Sequence, residues 1–186
     1  MPTSHISTPL SGVDANIVIA ALHNHDLMIK ILCPALVTYS FLSSNNSTQA
    51  TYSITDRKPI GQVRFFHFPT PPPPSIFIYI CSPIFTHLTN LTSLTTTHSH
   101  ITYTHTQPQT TYTLTLTNTP TGLDSLVNAK PPSGVLTISG KWRVENSLLS
   151  EDVEIDANFM MKKVAKSNVD RTHPEQHVKL LQAARA

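Results

Sequence analysis

Apolar residues alternate with polar ones along much of this chain. Val37, Tyr39 and Phe41 fall on one side of such a run, as do Ala50, Tyr52 and Ile54. Tyr112, Leu114 and Leu116 repeat the pattern opposite threonines. Leu136, Ile138, Gly140, Trp142 and Val144 face away from Thr137, Ser139, Lys141 and Arg143, and Val153 and Ile155 alternate with Asp152, Glu154 and Asp156. A period of two predicts antiparallel strands with one buried face and one wet face. Leu123–Ala129 is a weaker strand, because Leu126 breaks the alternation, and His5–Leu10 reads as a short opening strand.

Helical spacing flanks this block on both sides. Asp14 is an N-cap for a helix over Ala15–His23, which carries Ile17, Val18, Ala20, Ala21 and Leu22. Asp26 offers a cap for a second short helix, Leu27–Cys33, which Pro34 ends because the residue before a proline is pushed out of helical geometry. At the other end, Ala157–Val169 places Met160, Met161, Val164 and Ala165 on one side and Lys162, Lys163 and Lys166 elsewhere. Thr172-His173-Pro174-Glu175 then has the form of a capping box with proline at the first helical position, so a separate last helix is expected from Pro174 to about Ala184.

One segment fits none of this. Val63–Gln109 holds no Gly, Ala, Asp, Glu, Lys, Met or Trp, and Arg64 is its only charge. A guanine-poor, pyrimidine-rich nucleotide bias produces such a composition more readily than selection on a protein does. Val63-Arg64 can be encoded as GTACGT or GTAAGA, both splice-donor-like, and Gln109 as CAG, which is acceptor-like. The segment therefore reads as a translated intron and a disordered insertion, with Ser75–Phe85 an aggregation-prone stretch. Joining Gln62 to Thr110 restores two alternating strands around a short turn containing Pro59 and Gly61. The alternative is a genuine Thr/Pro-rich linker or interaction loop. Residues 1–62 with 110–186 then make a single domain of common size.

Composition narrows the partners. A formal charge of +2, with no Lys/Arg run beyond a pair, argues against nucleic acid. The most apolar run, Ser75–Phe85, is far short of the roughly 20 residues that span a bilayer, and the polar N-terminus has no signal-peptide order. Two cysteines, Cys33 and Cys81, give no disulfide framework. A cytoplasmic protein is expected, with its oligomeric state left open.

The order of strand, two short helices, six or so strands and a C-terminal helix is that of the helix-grip fold. ALHNHDLMIKILCPALVTYS, ATYSITDRKPIGQ, TTYTLTLTN, DSLVNAKPPSGVLTISGKWRV and LSEDVEIDANFMMKKVAKSN resemble an uncharacterised fungal domain family of the START, Bet v 1 and polyketide-cyclase-like (SRPBCC) superfamily. The similarity covers the chain outside Val63–Gln109. It implies an α+β fold in which a curved antiparallel sheet of about six or seven strands packs on a C-terminal helix, with an apolar cavity between them. It carries over no catalytic residue or cofactor, and the break at Thr172–Pro174 departs from the single long helix of that superfamily.

His23, His25 and Asp26 form the densest polar cluster. Imidazole beside carboxylate suits general-base work, yet a position between two helices suits caps and solvent equally. His98, His100 and His105 lie in Thr/Pro sequence that fixes no metal geometry. Asp152, Glu154 and Asp156 fall on the wet face. Tyr39, Tyr52, Tyr112 and Trp142 should point inward, as core or as the lining of a cavity for a flat or lipid-like ligand. Met160 and Met161 are candidates for its mouth. The leading expectation is non-catalytic binding of a small hydrophobic molecule, lipid- or polyketide-like, with no cofactor or metal. The alternatives are a cyclase- or hydratase-like enzyme using His23, His25 or Asp26, and a scaffold acting through its surface.

Overall fold

A computed structural model describes residues 3–57, 109–131 and 134–186. By its contacts the chain divides into two units. Met1–Val63 with Gln107–Ala186 is the first; Arg64–Thr106 is the second and lies outside the described residues. The insertion, its apolar stretch, Cys81 and the three clustered histidines therefore fall outside the description, apart from Gln109.

The element order is β1 (Ser4–Pro9), α1 (Ala15–His23), α2 (His25–Leu32), β2 (Leu36–Asn46), β3 (Gln49–Asp56), β4 (Thr110–Thr119), β5 (Gly122–Ala129), β6 (Leu136–Glu145), β7 (Leu148–Asp156) and α3 (Phe159–Ala183). The class is α+β. Seven antiparallel strands form one sheet in the order β1-β7-β6-β5-β4-β3-β2. Strands β2 to β7 neighbour one another in sequence order, while α1 and α2 carry the chain from one edge to the other. Asp56 pairs directly with Thr110, so the long connection leaves and re-enters the sheet at adjacent residues. The β6–β7 turn places Asn146 and Ser147 at φ 51° and 61°, the left-handed pair of a two-residue hairpin loop.

The wet and dry faces follow the alternation for β3 to β7. Rows of paired residues cross the inner face, among them Tyr52, Leu114, Val127, Ile138 and Ile155. Leu123–Ala129 is a full strand with Leu126 exposed on the outer face; tertiary pairing outweighs its weak pattern. The β2 expectation needs correction. Register shifts at Val37, Leu42 and Asn45 bulge this edge strand, so Leu36, not Val37, shares the inner face with Tyr39.

Two helix boundaries also differ from expectation. Asn24, not Asp26, caps α2, its side chain accepting from the Leu27 amide at 3.2 Å. At the C-terminus there is one helix, not two: α3 runs unbroken through Pro174. The Thr172 hydroxyl donates back to the Asn168 carbonyl at 2.8 Å instead of capping the next turn. Proline inside a helix costs about 3 kcal/mol. Val169 before it and Gln176, His177, Leu180 and Leu181 after it are all buried, and that burial on both sides carries the helix across.

The core is not one cluster. Val18 and Leu22 of α1, Met28 and Ile29 of α2, Leu180 and Trp142 belong to one apolar group. Val153, Ile155, Met161, Val169, Ala129 and Leu136 make a second. Tyr112 packs against both. Among the described residues no helix is long and apolar enough to cross a membrane.

Candidate functional site

Polar groups of α3 meet the inner face of β6 and β7. His173, Gln176, His177 and Leu180 are spaced i, i+3, i+4, i+7, which stacks them on one helix face. Opposite them, Glu151 occupies an inward position of β7, in phase with Leu149, Val153 and Ile155. It is only 1% exposed and His177 is fully buried. Buried charge needs partners, and α3 supplies them. His173 Nδ1 donates to Glu151 Oε2 at 2.7 Å. His177 Nε2 lies 3.5 Å from the same oxygen, close enough for charge attraction but long for a hydrogen bond. Its Nδ1 is 3.0 Å from Thr8 Oγ1 of β1, and its ring packs on Trp142 with centroids 4.8 Å apart.

Burial pushes the Glu151 carboxyl up, but the hydrogen bond from His173 and the nearby imidazole of His177 more than reverse this and hold it below the ordinary range. The carboxylate is therefore ionised at neutral pH. Four polar atoms in this region have no hydrogen-bond partner among the described residues: Glu151 Oε1, Trp142 Nε1, Gln176 Oε1 and His177 Nε2. Each has under 1 Å² of exposed surface. That concentration is unusual, since buried polar groups are nearly always satisfied. Gly140 sits beneath two of them: a β-carbon there would lie 3.1 Å from Glu151 Oε1, 3.6 Å from Trp142 Nε1 and 2.7 Å from Ser125 Oγ.

Next to this cluster the inner face is incompletely covered. Val127 and Ile138 lie between fully buried Leu114 and Ile155 in one cross-strand row, yet both keep partial exposure. Tyr52, at the end of the row, and Tyr112 do too.

The residues singled out from the sequence separate into distinct roles. His23 Nε2 lies 3.0 Å from the carbonyls of both Thr119 and Gly122, so it ties α1 to the β4–β5 turn. His25 is half-buried, with Nδ1 3.0 Å from the Tyr52 hydroxyl and Nε2 3.1 Å from Asn118 Oδ1. Asp26 is exposed and engaged by Lys30 at 2.7 Å and by the Tyr39 hydroxyl. These two partners hold its carboxyl below the usual range. Tyr39 and Phe41 pack edge-on against Tyr52. Trp142 is fully buried. Met161 is buried at 6% exposure, whereas Met160 points to solvent at 75%.

Half-buried Tyr112 makes a second polar set. Its hydroxyl donates to Asp56 Oδ2 at 2.8 Å and lies 3.3 Å from Cys33 Sγ. Burial pushes the Cys33 thiol up to about 12, and burial beside Cys33 and Asp56 raises Tyr112 as well. Such a thiol is unreactive. Among the described residues no group of three or more His, Cys, Asp or Glu is arranged to hold a metal ion.

Comparison with protein-family models gives no match, and comparison with curated proteins gives none either. The capping pattern at Thr172–Glu175 points to a helix start, and a break there hides the Glu151–His173–His177 cluster in the sequence. The signals were present: a carboxylate in the buried phase of β7, and Val169, His173, Gln176, His177 and Leu180 at helical spacing across the proline.

Proposed function

We propose that the protein binds a small hydrophobic molecule, lipid- or polyketide-like, in a cavity between the sheet and α3, in the manner of a helix-grip domain. The observation that carries the reading is the row Tyr52–Leu114–Val127–Ile138–Ile155. Val127 and Ile138 within it face inward on central strands yet stay partly exposed, where a filled core would bury them. The division of the core into two apolar groups, with Val127, Ile138 and Tyr112 at their border, supports this reading. A largely apolar concavity with a few convergent polar groups has the composition of a small-molecule site. Resemblance to the START and Bet v 1 superfamily supports the same reading, as does the strand and helix order.

The test is direct. Full-length protein purified under mild conditions is examined by native mass spectrometry for a retained small molecule, then titrated with 1-octanol while the fluorescence of Trp142, the only tryptophan of the chain, is followed. A retained mass or a saturable titration supports binding; a protein with neither is not a ligand carrier. Catalysis is the second reading, and it rests on His25, whose ring reaches the Tyr52 hydroxyl at the end of the same row. His23 spends Nε2 on two backbone carbonyls at the β4–β5 turn, away from that row.

A further inference from the structure

Trp142 and Glu151 present complementary requirements to the same small space. The indole N–H can only donate and an ionised carboxylate can only accept. Both atoms are buried, neither has a partner among the described residues, and both approach the point where a β-carbon on Gly140 would sit, at 3.6 and 3.1 Å. Glycine is required at that position, since a β-carbon would come within 2.7 Å of Ser125 Oγ and 3.1 Å of Glu151 Oε1. Ser125 adds a hydroxyl at its border. A buried donor and acceptor left unmade are costly, so the space favours whatever group satisfies both.

Resting on the binding reading above, we propose that this pair recognises a hydroxyl group, which makes the preferred ligand a neutral apolar alcohol or phenol. A hydroxyl accepts from Trp142 Nε1 and donates to Glu151 Oε1 through a single oxygen. A ketone or ether accepts from the indole but turns lone pairs toward the carboxylate. A ligand carboxylate is repelled by Glu151, and an ammonium is opposed by the indole N–H. An amide also carries a donor and an acceptor, but on two separate atoms, whereas a hydroxyl meets both partners through one. The His173 and His177 contacts keep Glu151 ionised, as the acceptor role requires.

The experiment compares 1-octanol, 1-methoxyoctane and octanoate on the full chain labelled with 15N. A chain with one tryptophan gives one indole N–H resonance, which reports on Trp142 directly. Octanol should bind about tenfold or more tighter than the ether, as expected for a hydrogen bond to a charged group. It should move the indole resonance in a saturable way, and the ether should leave that resonance near its free position. Octanoate should bind more weakly than the ether. Equal binding of alcohol and ether with an unmoved indole signal means the pair holds water and overturns the proposal, while the cavity reading stands. Failure of all three to bind overturns both. Trp142→Phe should lose the preference for the alcohol and keep ether binding; a preference that survives in the folded variant removes Trp142 from the assignment.

Discussion

Glu151 is the residue whose replacement distinguishes a buried ionic clasp from ordinary core packing. Truncation in Glu151→Ala leaves His173 Nδ1, now 2.7 Å from a carboxylate oxygen, facing a dry space, and removes the counter-charge beside fully buried His177. Breaking a buried pair in this way costs about 3–5 kcal/mol. Against a total stability of roughly 5–15 kcal/mol, that is a large fraction. Glu151→Gln keeps the shape and an oxygen that can accept from His173, so it should lose only the charge assistance, about 1–2 kcal/mol. The two variants also differ from wild type in their response to acid. The folded carboxyl lies below its ordinary value near 4.5. Its stabilising contribution is thus complete above that value and drains away as pH falls through the lower folded value. The wild-type advantage over Glu151→Gln should be full at pH 7 and vanish in strongly acidic solution. Urea unfolding read by Trp142 fluorescence and far-UV circular dichroism, stepped from pH 7 to pH 3, measures both quantities. A loss below 1 kcal/mol in Glu151→Ala, or a pH-independent gap between wild type and Glu151→Gln, would refute the clasp.

Other consequences are open to equally simple measurement. Pro174→Ala restores an amide to the middle of α3 at an exposed site and should stabilise by about 1–3 kcal/mol in urea melts; no gain would mean the helix uses the proline's shape to fit the sheet. Ser147→Gly relieves a left-handed residue at φ 61° and should raise stability by about 1 kcal/mol, whereas a loss would show that the seryl side chain matters to the turn. Native Cys33 should resist a chromogenic disulfide reagent at neutral pH and react only on unfolding, since its thiol is buried and pushed up to about 12; fast native labelling would contradict the packing around Tyr112. Excising 63–109 and joining Gln62 to Thr110 shortens the β3–β4 connection about tenfold, and closure entropy predicts a gain of about 2 kcal/mol. Destabilisation on excision would show that the segment contributes contacts, and sequencing of the message across the same junction would show whether it is normally removed.

The strands were legible because their pattern is a local consequence of one buried face: Leu136 to Val144 and Val153 to Ile155 needed no knowledge of their partners. The edge strand departs from its alternation for a physical reason. Bulges at Val37 and Leu42 change the phase within β2, and edge strands tolerate such changes. The proline in α3 misled more seriously. Local capping chemistry at Thr172–Glu175 favours a break, while burial of residues on both sides of Pro174 decides the outcome. A break there conceals the polar cluster, because a helix ending near Val169 cannot bring His173 and His177 into phase with Glu151. Of the residues expected near a site, Tyr52, Tyr112 and Trp142 do lie on the inner face; His23 fastens a turn, and Asp26 and Met160 lie at the surface.

The contacts of α3 explain why a helix would be held by polar groups where leucines would bury more apolar area. Lys166, Asp170, His173 and His177 form a single stripe at i, i+4, i+7, i+11. Ser4 donates to Asp170 at 2.6 Å, Lys166 reaches the same carboxylate at 2.6 Å, His173 meets Glu151, and His177 meets Thr8. Every one of these sheet partners belongs to β1 or β7, at one edge. Apolar contacts are nondirectional and would allow the helix to slide or to settle onto the middle of the sheet. Directional bonds along one edge fix its rotation and axial position. Such pairs add little net stability against an apolar replacement, and their value lies in specifying one arrangement. A helix clasped along β1 and β7 need not close down on Val127, Ile138 and Tyr52. On the binding reading, the clasp that positions α3 and the cavity that takes the ligand are one device, with Glu151 directing one oxygen to each.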